Sequence, residues 1–225
     1  SDPGNAFAIT TGADPTKPFP PPPYFQGHFS NGITAPEYVA QQSGLPTQNL
    51  AQGGATTGAL NIDDGRCIPN RDCTSLAYQL TPGLLSGLET QIARYLGGAP
   101  ADIGTTLFYL QGGANDLFTG NAALIADIVS NLLNHVAKLI GAGAQHIVLS
   151  NIPNIARTPF GQALSPGDLA ALIGGLALVN GGIAQIWGAF PNIVAPVDSF
   201  GLLNAVLDDA AAFGFTNTAG LCRGL

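Results

Sequence analysis

The chain has 225 residues, of which 46 % are apolar and only 9 % are charged, so it can bury a large core and is not intrinsically disordered. Seven basic residues against fourteen acidic ones give a net charge of −7, and no lysine or arginine cluster occurs. This charge balance argues against a nucleic-acid partner and against an anionic membrane surface as a partner.

The N-terminal part of the chain is predicted to be mostly irregular. Residues 1–32 are expected to form loops, and the proline-rich residues 17–24 should adopt an extended polyproline II conformation. One short helix is expected over residues 34–42, because Thr34 is a good N-cap and Gly44 suits a helix end.

A glycine pair, Gly53-Gly54, follows a possible short strand at residues 48–52. Such a pair lets backbone N–H groups face a ligand closely. The surrounding residues match neither the dinucleotide-binding pattern nor the Walker pattern for phosphates. A helix over residues 84–96 is predicted next, and it should stop at the glycines that follow it.

The clearest strand is the apolar run of residues 105–110, which breaks at Gly112-Gly113 and is followed by Asn115 and Asp116. The pattern is typical of a buried parallel strand that brings polar groups to its carboxyl end, where ligands bind in open α/β sheets. An asparagine held there can donate N–H groups to a developing negative charge. An Asn-Asp pair after a strand is also typical of a turn or a helix N-cap.

Strands and helices alternate through the rest of the chain. The predicted helices cover residues 121–140, 169–190 and 201–213, and the predicted strands cover residues 146–150 and 192–197. This alternation predicts an α/β fold of three layers, α/β/α, with a mostly parallel sheet and helices on both of its faces. A single domain over residues 1–225 is expected, since no internal repeat or linker interrupts the pattern.

One predicted helix, residues 169–190, carries no charge and is long enough to span a bilayer. Its five glycines, together with Asn180 and Gln185, favour a helix of a soluble domain instead. In the preceding helix His135 falls on the polar face, which predicts a solvated surface residue.

Polar groups follow several of the predicted strands, and they are of a kind that can stabilise an oxyanion. They are Gly53, Gly54, Asn115, Asp116, Asn151 and Asp198. The histidines are His28, His135 and His146, and none lies in a serine-hydrolase spacing or a metal-ligand cluster. The residues alone therefore predict neither a metal nor a cofactor, and they show only part of a catalytic site.

The three cysteines suggest an oxidising compartment. Cys67 and Cys73 flank a short polar loop that a local disulfide could close. Cys222 is either a buried free thiol or the partner of a cysteine beyond Leu225.

Several blocks together resemble the SGNH/GDSL family of serine esterases and lipases, and most closely its secreted branch of lecithinases, haemolysins and autotransporter esterases. They appear in family order and span nearly the whole chain: Ser1-Asp-Pro-Gly-Asn5, Pro20-Pro-Pro-Pro-Tyr-Phe-Gln-Gly-His-Phe-Ser-Asn-Gly32, Asn49-Leu-Ala-Gln-Gly-Gly-Ala-Thr-Thr-Gly58, Gly113-Ala-Asn-Asp116 and Ser150-Asn-Ile-Pro-Asn-Ile-Ala-Arg-Thr-Pro159. The resemblance implies a flavodoxin-like sheet and an activity on small-molecule or lipid esters outside the cytoplasm.

The resemblance assigns roles only to matching residues. Gly54 would donate its backbone N–H to an oxyanion hole and Asn115 its side-chain amide, while Asn5 and Asp116 would fix their turns. The family's nucleophilic serine would stand two residues before Ser1, and its Asp-x-x-His would follow Cys222. We therefore expect a fragment truncated at both termini, without its first strand, that is poorly stable and inactive alone.

The intact protein is accordingly predicted to be a serine carboxylester hydrolase. Two alternatives remain open at this stage. One is a non-catalytic binding module that keeps the fold without the catalytic triad, and the other is an acyltransferase on the same scaffold.

Overall fold

We describe a computed structural model of the chain for residues 2–22, 24–63 and 84–220. The chain divides into two compact units. The first contains Ser1–Ala101 and Phe118–Asp127, and the second contains Asp102–Leu117 and Ile128–Leu225. Each unit is presented by itself, and a single domain over residues 1–225 stays a prediction.

The first unit begins with a helix that the sequence did not predict, α1 (Asn5–Thr11). The carboxylate of Asp2 accepts hydrogen bonds from the N–H groups of Gly4, Asn5 and Ala6, so it satisfies the donors that every helix start leaves open. Gly12 ends the helix in the left-handed conformation. The expectation of loops throughout residues 1–32 was wrong here, because the helix depends on a cap placed before it.

Helix α2 (Ala35–Ser43) confirms the prediction closely. Thr34 and Glu37 form a capping box, in which the Glu37 carboxylate accepts the Thr34 N–H at 2.7 Å. Gly44 ends the helix with a φ of 66°. No side chain of α2 is buried, so local capping rather than core packing specifies this element.

The segment before the glycine pair is extended but forms no strand ladder, so the strand predicted at residues 48–52 was wrong. Its backbone carbonyls are bonded to a side chain instead: the Asn5 amide donates to the carbonyls of Asn49 and Ala51, each at 2.8 Å. An isolated antiparallel bridge joins Ala55 to Asn61 shortly afterwards.

Helix α3 (Leu88–Gly97) begins four residues later than predicted. The backbone N–H groups at its start, those of Gly87 and Leu88, donate to the carbonyls of Ala59 and Thr56. A loop distant in sequence therefore determines where this helix begins.

The second unit contains a parallel sheet of three strands, β1 (Leu107–Leu110), β2 (His146–Ser150) and β3 (Val194–Val197), in the order β1-β2-β3. The register pairs Leu107 with His146, and Ile147 with Val194. The α/β class with a parallel sheet is confirmed. The helices after β1 are α4 (Ala114–Phe118), α5 (Ala122–Gly141), α6 (Pro159–Gln162), α7 (Pro166–Ala189) and α8 (Ser199–Asp208), and a 3₁₀ turn occupies Ile155–Arg157.

Helix α5 has its predicted length, but its buried face is rotated from the predicted one. Leu133 is 40 % exposed, whereas His135, predicted to lie on the polar face, is only 2 % exposed. The prediction of a solvated His135 was therefore wrong. His135 follows the buried Ile128 by seven residues and Leu132 by three, which places it on the same side of the helix.

Helices α5 and α7 are long and apolar enough to cross a membrane by length and composition alone, which is weak evidence for a span. In α7 one face is buried, at Leu172, Leu176, Val179, Ile183 and Ile186. At its middle a Cβ added to Gly182 would lie 2.5 Å from Cγ2 of Val129, so the two helices approach each other closely at this glycine.

The two adjacent glycines of α7 provide a matched test of that contact. We expect Gly182→Ala to lower the free energy of unfolding by about 1–3 kcal/mol, because the new methyl group overpacks against Val129. A Cβ at Gly181 meets no atom within 4 Å, so Gly181→Ala should instead raise stability by about 1 kcal/mol through helix propensity. Urea unfolding followed by circular dichroism measures both, and equal effects of the two variants would contradict the close contact.

Candidate functional site

The turn at Gly53-Gly54 in the first unit requires glycine at its second position. Gly54 has a φ of 78°, and an added Cβ would lie 2.5 Å from Oδ1 of Asn61 and 2.6 Å from Oδ2 of Asp63. Its carbonyl accepts the N–H of Ile62 at 2.8 Å, and the Gly53 carbonyl accepts the Asn61 amide at 2.8 Å. The backbone at Gly54 is therefore both in the left-handed region and enclosed by neighbouring polar groups.

The N–H of Gly54 is the exception in this bonded turn. Gly54 is buried, yet its N–H donates to no acceptor within residues 2–22, 24–63 and 84–220. Buried backbone N–H groups are almost always paired in folded proteins. A buried and unpaired donor at a glycine that admits no side chain is suited to bind an anionic atom of a ligand.

The second predicted donor, Asn115, lies in the second unit, in the first turn of α4 directly after β1. Asn115 is half-buried, and the neighbouring Asp116 is 1 % exposed. Gly113 makes this turn possible, because it has a φ of 106° and an added Cβ would lie 2.7 Å from Cδ1 of Ile152. The carboxyl end of the strand thus presents Asn115 as predicted, on a short helix rather than in an irregular loop.

The polar groups after β2 and β3 bond to one another. The Asn151 amide donates to Asp198 at 2.7 Å, and the Asn151 carbonyl oxygen accepts the Phe200 N–H at 2.9 Å. Hydrogen bonds from the Gly201 N–H and then from the Asn151 amide hold the pKa of Asp198 below its usual value. Both side chains therefore join the ends of the two strands and bond to the start of α8.

The three histidines have different surroundings in the described part of the chain. His28 is 8 % exposed, with Nδ1 2.8 Å from the Phe25 carbonyl and Nε2 3.1 Å from the Glu37 carboxylate. His135 is buried in α5, and His146 lies exposed at the start of β2. Within the same described residues, no group of three or more histidine, cysteine or acidic side chains could hold a metal ion. Cys67, Cys73 and Cys222 lie outside the described residues.

Two residues with important contacts were not singled out from the sequence. No sequence pattern predicts the contact of Asn61, since it joins Asn61 to Gly53, eight positions away in an irregular loop. A pattern does exist for Asp2: an aspartate before Pro-Gly-Asn is typical of a turn in which its carboxylate bonds to the following N–H groups.

The capping of α2 gives a prediction about pH. Burial acts to raise the pKa of Glu37, but hydrogen bonds from Thr34 and His28 outweigh it, so that pKa lies below its usual value of 4.5. A carboxyl whose pKa is lowered by folding stabilises the fold above its unfolded pKa and loses that contribution as the pH falls through the folded pKa. We therefore expect Glu37→Gln to flatten the loss of stability below pH 4.5.

Urea midpoints measured by circular dichroism from neutral pH into this acidic range test the expectation. Asp168→Asn is the control, because the Asp168 carboxylate also lies at a helix start, where its Oδ2 accepts the Ser165 hydroxyl at 2.7 Å. The expectation is wrong if stability falls as steeply with pH in Glu37→Gln as in the unsubstituted protein. It is also wrong if only Asp168→Asn makes that fall less steep.

The sequence of this chain is similar to proteins of a known family. The model of the GDSL-like lipase/acylhydrolase family matches residues 8–221, almost the whole chain. Among curated proteins, the thermolabile hemolysin of Vibrio parahaemolyticus is 29 % identical over 166 residues, which are 71 % of this chain and 33 % of the hemolysin.

Two further relatives have similar identity. The secreted effector protein SseJ of Salmonella typhimurium is 26 % identical over 62 % of this chain and 30 % of its own length. The phosphatidylcholine-sterol acyltransferase of Aeromonas hydrophila is 26 % identical over 100 % of this chain and 63 % of its own length. The chain thus spans less than two thirds of each of these three relatives.

Proposed function

Because the chain belongs to the family of GDSL-like lipases and acylhydrolases, we propose that it hydrolyses carboxylic esters by serine catalysis, with Gly54 and Asn115 as oxyanion-hole donors. The observation that carries the proposal is the N–H of the buried Gly54, which donates to no acceptor among the residues that the structure describes. Asn115 supports it as an amide at the carboxyl end of a parallel strand, where ligands bind in such sheets.

The proposed reaction has two steps. A serine hydroxyl attacks the ester carbonyl while a histidine takes its proton, and the carbonyl oxygen becomes an oxyanion. The N–H of Gly54 and the amide of Asn115 donate hydrogen bonds to that oxygen, both without introducing a charge of their own. Collapse of the tetrahedral intermediate leaves an acyl-serine and expels the alcohol, which takes the proton from the histidine. The histidine then takes a proton from a water molecule as it attacks the acyl-serine, and this proton returns to the serine as the carboxylic acid leaves. The family resemblance assigns the serine and the histidine to none of the 225 residues.

We further propose a lipid or other apolar ester as substrate, and action outside the cytoplasm. One relative is named as a phosphatidylcholine-sterol acyltransferase, and another is named as a secreted effector protein. A chain with 9 % charged residues and a net charge of −7 suits an uncharged or zwitterionic substrate better than an anionic one.

The side-chain donor is tested by Asn115→Ala in the gene product expressed at full length. We expect kcat to fall by about 10²–10³, as is typical for the loss of one oxyanion-hole donor, while KM changes little. Asn134→Ala removes an amide from the exposed face of α5 and is the control. Hydrolysis of a short-chain p-nitrophenyl ester is the assay, and an unchanged kcat in Asn115→Ala would remove the proposed role.

The backbone donor is tested by Gly54→Ala. The added methyl group would collide with Asn61 and Asp63, so the turn must shift and the N–H with it. Gly44→Ala is the matched control, because Gly44 has a similar φ of 66° but no atom within 4 Å of an added Cβ. Both variants should lose about 1 kcal/mol of stability from the left-handed conformation, whereas we expect kcat to fall only in Gly54→Ala. Equal kcat values would contradict the proposal.

Acyl transfer is the second candidate, favoured by the match of the whole chain to the Aeromonas acyltransferase. An alcohol would then replace water as the acceptor of the acyl group, and the same oxyanion donors would serve. Product analysis with a phospholipid donor, with and without a sterol, separates the two activities. A protein that binds such lipids without forming either product would instead be a non-catalytic binding module.

A further inference from the structure

We propose that Asp2 and Asn61 are positioning residues that orient the Gly54 N–H by fixing the two peptide groups of the Gly53-Gly54 turn. The inference rests on the proposed role of Gly54 as an oxyanion donor. It concerns contacts within the first unit only, and it assigns to two buried polar side chains a function in catalysis rather than in folding alone.

Asp2 fixes the first of the two peptide groups. Its carboxylate is 2 % exposed and accepts four backbone N–H groups. Oδ1 accepts those of Gly4 and Asn5 at 2.8 and 2.5 Å, and Oδ2 accepts those of Ala6 and Gly53 at 3.0 and 2.8 Å. The first three bonds stabilise the start of α1, but the fourth reaches across 51 positions to the glycine turn. Capping alone does not account for that fourth bond.

Asn61 fixes the second peptide group, which contains the Gly53 carbonyl and the Gly54 N–H. The Asn61 side chain is completely buried, and its Nδ2 donates to the Gly53 carbonyl at 2.8 Å. A peptide group is planar and trans, so its N–H points opposite to its carbonyl. Binding the carbonyl on one side therefore determines the direction of the Gly54 N–H on the other.

A third contact prevents the turn from moving sideways. The ring of Phe29 lies so close to Gly53 that an added Cβ would be 2.1 Å from Cε2. The Phe29 N–H also donates to the Asp2 carbonyl at 3.3 Å. The turn is thus held by a carboxylate, an amide and an aromatic ring, and the Gly54 N–H, which has no partner among the described residues, is left in a defined direction.

The experiment uses Asp2→Ser and Asn61→Asp in the full-length gene product. Serine keeps one oxygen for the start of α1 but lacks the second oxygen that binds the Gly53 N–H. Aspartate keeps the shape of Asn61 but places an acceptor against the Gly53 carbonyl. We expect kcat to fall by about 10- to 100-fold in each, since a misplacement of about 1 Å can cost about 100-fold in rate. KM should stay within about twofold, because an oxyanion donor acts on the transition state.

Two further measurements separate positioning from stability. The affinity for a boronic acid, which forms a tetrahedral adduct with the serine, should fall in parallel with kcat/KM. Gln91→Glu is the matched control: Gln91 is buried, and it donates to the Ser86 carbonyl at 3.0 Å, which Asn61 also contacts at 3.4 Å, but it does not touch the glycine turn. It should lower the melting temperature and leave kcat unchanged.

Each outcome decides a separate point. Loss of stability with an unchanged kcat in both test variants would overturn the inference, provided that Gly54→Ala lowers kcat. If Gly54→Ala also leaves kcat unchanged, the proposed oxyanion role of Gly54 fails first. Should Asn61→Asp not fold, Asn61→Ser carries the same test, because it introduces no charge and is too short to reach the Gly53 carbonyl.

Discussion

The first unit depends on one buried carboxylate, that of Asp2. Its two oxygens bind four N–H groups, and these belong to segments about fifty residues apart in the sequence. Burying a carboxylate is costly unless donors surround it, and here the donors are backbone groups that would otherwise need partners of their own. The same carboxylate therefore begins α1 and holds Gly53, so the geometry of the glycine turn cannot change without disturbing the helix start.

Neutral amides perform a similar task elsewhere, as expected for a chain with so few charges. The Asn5 amide binds two carbonyls of the extended segment, and Asn180 binds both the N–H and the carbonyl of Ile152, each at 2.9 Å. An amide donates and accepts at once, so it can order an irregular backbone on both sides.

The sequence predicted those elements whose signals are local. Helix α2 has its cap, its acidic partner and its terminal glycine within eleven residues, and the parallel strands are recognisable from their composition. The strand at residues 48–52 was wrong because its carbonyls bond to the amide of Asn5, 44 and 46 positions away. Helix α1 was missed although its cap is local, because the turn pattern at Asp2 was not read as a helix start. His135 was misplaced because the packing of α5, not its amphipathic pattern, determines which side is buried. Gly54 and Asn115 appeared as candidates from their positions, whereas Asn61 could emerge only from contacts.

The Gly54 N–H has no partner among the residues that the structure describes, and this has a physical rationale if the group serves the reaction. Leaving a buried donor without a partner destabilises the free protein by about 1–3 kcal/mol. A preorganised donor that meets developing charge in a water-excluded site contributes about 2.7–4 kcal/mol to the transition state. The donor is then satisfied mainly when the oxyanion forms, so its interaction favours the transition state over the ground state. That advantage disappears if the turn can rotate to bind water or a neighbouring carbonyl, which is why the peptide groups on either side need to be fixed.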